Sequence, residues 1–362
     1  MKNTFGQSMT ITIFGESHGA YIGAILDGLT PGMEVDEAFI KHQLDLRRPS
    51  GKISTARVEQ DEYILASGVY KGRTTGTPLS ILIPNTVQKS EDYESKPKIA
   101  RPGHADYTAS VKYHGYEDFR GGGHFSGRIT AAVVAAGAIV IPALKKKGIE
   151  IGTHIKSSGG IEDRDFNDYK QDIEALSKTA FPVLDDDAAK NIREMMEKVA
   201  AEGDSVGGVL ETVVTGMPAG VGEPWFDTVE GMLAHALYSI PAIKGVQFGD
   251  AFDLVNARGS EFNDAFCVID EKVVTKTNHN GGINGGITNG MPLLFRCAVK
   301  PTPSIYKEQD SVNLKTVKDA KIIIAGRHDP AIIHRARIVV DSMTALTLYD
   351  MLAGRYGTDY FA

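Results

Sequence analysis

Cysteine is nearly absent. Cys267 and Cys297 are the only two in 362 residues, and neither stands in a metal-type spacing. Neither a disulfide framework nor a Cys-based zinc site is expected, and a reducing compartment fits best. Positive charge is not in excess either: Lys and Arg total 39 against 46 Asp and Glu, a net charge of −7. Broad attraction to nucleic acid or anionic membranes is therefore not expected, and an anionic ligand would need a local cluster of cations. The first residues, 1–15, lack the long apolar stretch of a signal peptide. The most apolar window, 129–144, contains Thr130, Gly137 and Pro142 and falls short of a membrane span, so it reads as a buried core helix. A cytoplasmic protein is expected. Internal repeats, low-complexity tracts and Pro-rich or charge-rich linkers are also missing, which points to one domain over 1–362.

What the chain has in quantity is glycine, 39 residues, about a tenth of the total against a usual 7% or so. Around these glycines the elements are legible in part. Alternation over 10–14 predicts a strand that runs into Gly15-Glu16-Ser17-His18-Gly19. Asp36 is placed to cap a helix over 37–46, with Val35 and Ile40 at staple spacing and Pro49 as the stop. A basic loop follows, with Arg47, Arg48, Lys52 and Arg57. The spacing of Ala188, Ile192, Met195, Met196 and Val199 predicts an amphipathic helix over 187–201, and strands are expected at 209–214, 293–299 and 322–324. No regular strand–helix alternation appears, so the fold class is α+β rather than doubly wound.

Three segments carry candidate chemistry. Arg120-Gly121-Gly122-Gly123-His124-Phe125-Ser126-Gly127-Arg128 precedes the apolar helix directly. Consecutive glycines can point several backbone N–H groups into one concavity, Ser126 can cap the helix, and Arg120 and Arg128 add full charges. That is an anion site, although a Gly-rich turn entering a core helix reads equally well. No Gly-Lys-Ser/Thr follows, so it is not a Walker loop. Histidine is the second clue: His18, His104 in Arg101-Pro102-Gly103-His104-Ala105-Asp106, and His328 in Arg327-His328-Asp329-Pro330 each stand on a tight turn beside charged or hydroxyl neighbours. Such imidazoles suit proton transfer near neutral pH. No His-x-x-x-His spacing exists to hold zinc. The third segment, 278–286, pairs amides with Gly281-Gly282 and Gly285-Gly286 and reads as two tight turns. Composition and spacing reach a soluble enzyme for an anionic, phosphorylated ligand, and no further.

The same segments resemble a known family. Gly15-Glu16-Ser17-His18-Gly19, Ile25-Leu26-Asp27-Gly28, Ser126-Gly127-Arg128 and Arg327-His328-Asp329-Pro330 are similar to the signatures of chorismate synthases. Arg101-Pro102-Gly103-His104-Ala105-Asp106, Ser239-Ile240, Lys244-Gly245 and Lys300-Pro301-Thr302 add to the likeness, which runs in order from Phe5 to Met351. The resemblance implies a β-α-β sandwich of antiparallel sheets around helices and a homotetramer. It also implies conversion of 5-enolpyruvylshikimate 3-phosphate to chorismate and phosphate by 1,4-anti elimination, the last step of the shikimate pathway. Reduced FMN is required in that family, with NADPH as a reductant in some members.

By the same resemblance His18 would protonate the leaving phosphate and His104 the reduced flavin, Asp329 would assist proton removal at flavin N5, and Ser17 and Ser126 would lie near the cofactor. FMN-binding positions would be His124, Phe125, Ser126, Pro241, Ala242, Gly285, Lys300, Pro301, Thr302, Pro303, Ser304 and Arg327, and substrate-binding positions Arg47, Lys52, Arg101 and Arg128. This chain departs from the family at His124-Phe125, where Arg-Ser is common, at Lys52 for Arg, at Pro241 for Asn and at Asp341 for Glu. A metal-dependent phosphohydrolase and a non-catalytic flavin- or anion-binding relative are the other classes these residues allow.

Overall fold

Two patterns of period two set the architecture. The computed structural model describes residues 2–49, 53–54, 60–86, 98–324 and 329–362. In the strand Leu79–Pro84, Leu79, Ile81 and Ile83 are buried and the residues between them half-buried. In Leu293–Val299 the buried set is Leu293, Phe295, Cys297 and Val299. Each is a strand with one face on a core. The first sheet runs Thr4–Phe5, Thr10–Gly15, Tyr21–Asp27, Leu79–Pro84, Ile64–Ser67, all antiparallel. The second runs Ile243–Phe248, Leu293–Val299, Gly208–Thr215, Glu150–Ser158, Ile161–Glu162, again antiparallel throughout.

Helices fill the space between them. The helix Thr130–Lys146 lies on the first sheet through Tyr21–Asp27 and Leu79–Pro84. The C-terminal helix Ile333–Tyr356 lies on the second through Glu150–Ser158 and Gly208–Thr215, and the two helices pack on each other. This is the expected α+β sandwich. Close packing of the pair needs a residue without a side chain: a Cβ on Gly137 would lie 2.5 Å from Ser342 Cβ. Gly127–Lys146 is long and apolar enough to cross a membrane by composition, but 72% of its apolar window is buried inside the protein, and it serves as a core helix.

Most expected elements form where local chemistry places them. Asp36 caps Glu37–Arg47, its Oδ1 accepting from Phe39 N at 3.0 Å, and Asp185 caps Asp186–Ala201 through Ala188 N at 2.8 Å. One strand differs. In place of 322–324, the chain pairs the polar run Lys318–Ile322 with Gln309–Asn313 in a separate hairpin, and Ile324 is buried outside it. A two-stranded hairpin with no buried face is not marked by its apolar residues. Asp341 anchors the C-terminal helix to the second sheet. Its Oδ1 accepts from Thr153 Oγ1 at 2.6 Å and its Oδ2 lies 3.3 Å from Arg337 Nη1. Burial pushes the Asp341 carboxyl up and the Arg337 guanidinium down from their ordinary values.

The second sheet also carries a buried ionic ladder. His154 lies opposite Glu211, and Glu211 opposite Arg296, on three adjacent strands. His154 Nδ1 is 2.7 Å from Asp163 Oδ2 and Nε2 is 3.1 Å from Glu211 Oε2, while Arg296 Nε donates to Glu211 Oε1 at 2.7 Å. Burial alone would lower the imidazole pKa, but the two carboxylates outweigh it and the net shift is upward. A raised folded-state pKa gives stability that is complete below the unfolded value of about 6.5 and is lost as pH rises through the folded value. The stability advantage of the wild type over His154→Gln should therefore be largest near and below about pH 6 and shrink as the pH rises into the alkaline range. Urea midpoints across that range test this; an advantage that grows with pH would contradict it.

Candidate active site

The glycine run takes a conformation that side chains oppose. Gly121, Gly122 and Gly123 have φ of 60°, 90° and 54°, and a Cβ on Gly123 would sit 1.8 Å from Asp118 O. Ser17 N donates to Gly123 O at 3.1 Å and Ser17 Oγ to Gly121 O at 3.2 Å. A Cβ on Gly121 would fall 2.5 Å from His18 Nε2 and from Ser17 Oγ. One on Gly122 would fall 3.3 Å from His104 Nε2 and 3.7 Å from Arg101 Nη2. Bare backbone thus brings two histidines, far apart in sequence, to adjacent residues of one run. His124 stitches the run to the first sheet, its Nδ1–H donating to Gly15 O at 2.8 Å.

His104 is held from behind. Its Nδ1 is 2.7 Å from Asp106 Oδ1 and 3.1 Å from Arg101 Nη2. Arg101 grips the same carboxylate, Nε to Oδ2 at 2.8 Å and Nη2 to Oδ1 at 2.7 Å. Burial works to raise the Asp106 carboxyl, yet Arg101 and His104 together hold it well below the usual carboxylate range. Lys300 closes this side: its Nζ donates to Gly103 O, its backbone N donates to Ala242 O at 3.0 Å, and Pro303 lies against Gly103. Ala242 has a φ of 76°, unusual for a residue with a Cβ, and Ser205 Oγ donates to Thr302 O at 2.7 Å.

A second cation cluster adjoins the first through Asn85. The Asn85 amide donates to Glu16 O and Gly19 O, at 3.0 and 2.8 Å, and its oxygen accepts from Arg128 Nε at 3.0 Å. Arg128 and Arg47 both pair with Asp61, Arg47 Nη2 at 2.9 Å from Oδ2. Arg335 Nε donates to Arg47 O at 2.8 Å and its Nη1 to Asp329 Oδ2 at 2.5 Å. Ser126 caps the turn before the core helix, its Oγ accepting from Arg128 N at 3.3 Å.

Ser17, His18, Arg101, His104, His124, Ala242, Lys300 and Pro303 are therefore joined by contacts around the glycine run, and Arg47, Arg128, Ser126 and Asp329 form the adjoining cluster. Phe125 is partly exposed and meets Tyr113 edge-on. Pro241 is exposed beside Ala242, and Pro301 and Ser304 flank Thr302 on the same loop. Gly285 is set in the hairpin Ile283–Asn284 with Ile287–Thr288, which bonds to 220–229. Lys52 and Arg327 lie outside the described residues, as does His328. Sequence reasoning passed over Asp61, Asn85 and Arg335, whose partners are distant in the chain; Asp106 stood in a quoted segment without a role. No group of three or more His, Cys, Asp and Glu among the described residues is arranged to hold a metal.

A profile of the chorismate synthase family matches residues 9–353. The chain belongs to the chorismate synthase family. It is 44% identical over 351 residues to the chorismate synthase of Pyrococcus abyssi, covering 97% of each, and 45% identical over 352 residues to that of Lachnospira eligens, covering 97% of this chain and 94% of the other. A crystal structure of chorismate synthase superposes with a TM-score of 0.75 at 27% identity, covering 98% of this chain and 94% of that one. The protein is an enzyme of that family's type, a carbon–oxygen lyase of chorismate biosynthesis.

Burial of Asp61 sharpens one expectation. Its side chain is 1% exposed, and the two guanidiniums hold the carboxyl below its ordinary value against the opposing effect of burial. Removing the carboxylate leaves two buried cations without their shared partner, so Asp61→Ala should lose about 3–5 kcal/mol of stability. Chemical denaturation measures it, and a loss below about 1 kcal/mol would mean the pair is solvated or compensated elsewhere.

Proposed function

We propose that this enzyme converts 5-enolpyruvylshikimate 3-phosphate to chorismate and phosphate with reduced FMN. The observation that carries the reading is the approach of His18 and His104 to neighbouring glycines of one backbone run, with Arg101 beside them. The residues fit a bound flavin nucleotide. Thr302 Oγ1, on the loop that Lys300 fastens to Gly103, is buried and has no hydrogen-bond partner. Ala242, Lys300 to Ser304 and the run 121–126 would hold the cofactor, joined by Gly285, Pro241 and Arg327. Reduced FMN, when bound, supplies the transient electron that makes loss of phosphate feasible from an unactivated ring.

The chain's own residues divide the remaining work. Arg47, Arg101 and Arg128, with Lys52, bind the carboxylates and phosphate of the substrate. Their guanidiniums are oriented beforehand by Asp61 and Asp106, so little reorganisation is left for binding. His18, packed on Gly121 and buried, delivers a proton to the departing phosphate oxygen as its charge grows. His104 Nε2 would protonate the reduced flavin, and Asp329, clamped by Arg335, would assist proton removal at flavin N5. Ser17 fixes the backbone that carries His18. The same reading carries a homotetramer of one-domain chains, 1–362, in the cytoplasm, with NADPH or an outside reductase supplying electrons to FMN.

An anaerobic assay with dithionite-reduced FMN tests it. Chorismate should form only when FMN is present and reduced, and His18→Ala should keep the fold and lose at least about ten-fold in kcat. Full turnover without flavin would sink the reading, and near-normal turnover by folded His18→Ala would remove that residue from it.

A further inference from the structure

We propose that Asp106 is a positioning residue that fixes which nitrogen of His104 faces the reaction, an inference that rests on the reading of His104 given above. Every group around the Asp106 carboxylate is a donor or is made one by it. Oδ2 accepts from Arg101 N at 2.9 Å and Arg101 Nε at 2.8 Å; Oδ1 accepts from Arg101 Nη2 at 2.7 Å and faces His104 Nδ1 at 2.7 Å. Arg101 Nη2 also lies 3.1 Å from His104 Nδ1, but a guanidinium donates to both and the nearer, fully charged carboxylate decides the imidazole. The proton therefore sits on Nδ1. Nε2, the nitrogen against Gly122, is left as the one that takes up a proton and passes it on. A single carboxylate thus orients a proton carrier and a substrate-side cation together.

The isosteric variant has a forced consequence. In Asp106→Asn one oxygen must serve two fixed donors, Arg101 N and Nε, so the amide oxygen takes the Oδ2 place. Its NH2 then occupies the Oδ1 place, gives up the bond from Arg101 Nη2 and points at His104 Nδ1, which must become an acceptor. The ring proton moves to Nε2, and the nitrogen facing Gly122 is no longer free to accept one.

Two measurements test this. Solid-state 15N spectra of the histidine-labelled, ligand-free protein near neutral pH should place the His104 proton on Nδ1 in the wild type and on Nε2 in Asp106→Asn. Kinetics should be non-additive: Asp106→Asn should lower kcat at least about ten-fold in the wild type but less than about two-fold in the His104→Ala background, with a KM rise through Arg101 surviving in both. Asp106→Glu, which keeps the charge, should recover part of kcat. The same tautomer in wild type and Asp106→Asn, or an equal kcat loss in both backgrounds, would overturn the proposal. If Asp106→Asn fails to fold, the wild-type spectrum and Asp106→Glu decide. A wild type that makes no chorismate would defeat the reading of the function and leave the spectra to judge Asp106 alone.

Discussion

Three consecutive left-handed glycines are the constraint on which the site depends. With φ of 60°, 90° and 54°, Gly121 to Gly123 hold a path that few residues with a Cβ adopt. The path matters because of what fills the missing side-chain volume: the His18 ring at one glycine and the His104 ring at the next. Ser17, which precedes His18, is tied to the same run by two hydrogen bonds. Strand Thr10–Gly15 delivers the first histidine, the turn 101–105 the second, and the run itself leads through Gly127–Ile129 into the helix Thr130–Lys146. The two sheets and the buried helix pair serve to hold these three segments in register.

The second theme is how an acidic protein keeps arginines fixed for an anion. Arg47 and Arg128 share Asp61, Arg101 is doubly held by Asp106, and Arg335 is paired with Asp329. Each carboxylate lowers the cost of burying a guanidinium and sets its direction, at the expense of net positive charge. Two arginines on one aspartate leave an excess of one positive charge, which suits a ligand carrying both carboxylate and phosphate groups. The net charge of −7 is therefore no obstacle to an anionic ligand, because attraction acts over the few ångströms inside the site.

Sequence reading was most successful where the physics is local. Asp36 caps its helix as its position suggests, and Leu293–Val299 alternates visibly because one face is buried. It passed over the C-terminal helix Ile333–Tyr356 entirely. That helix is buried all round, with Asp341, Ser342, Thr344 and Thr347 inside, so no polar face marks its period. The histidines were legible from their turns and from the order of the segments. Asp61 was not, because its meaning comes only from Arg47 and Arg128 meeting it in space. Asp341, a departure from the family in sequence, has a structural explanation as the anchor between Thr153 and Arg337.

The central claim is that segments 15–19, 101–104 and 120–128 form one ligand site built on the glycine run. Hydrogen–deuterium exchange during a titration with FMN and the enolpyruvyl substrate examines it most directly. Amides in all three segments should become protected together, with one common ligand midpoint, while the outer hairpin Phe266–Ile269 with Lys272–Thr275 stays unchanged. Protection confined to one of the three segments, or three separate midpoints, would contradict the account.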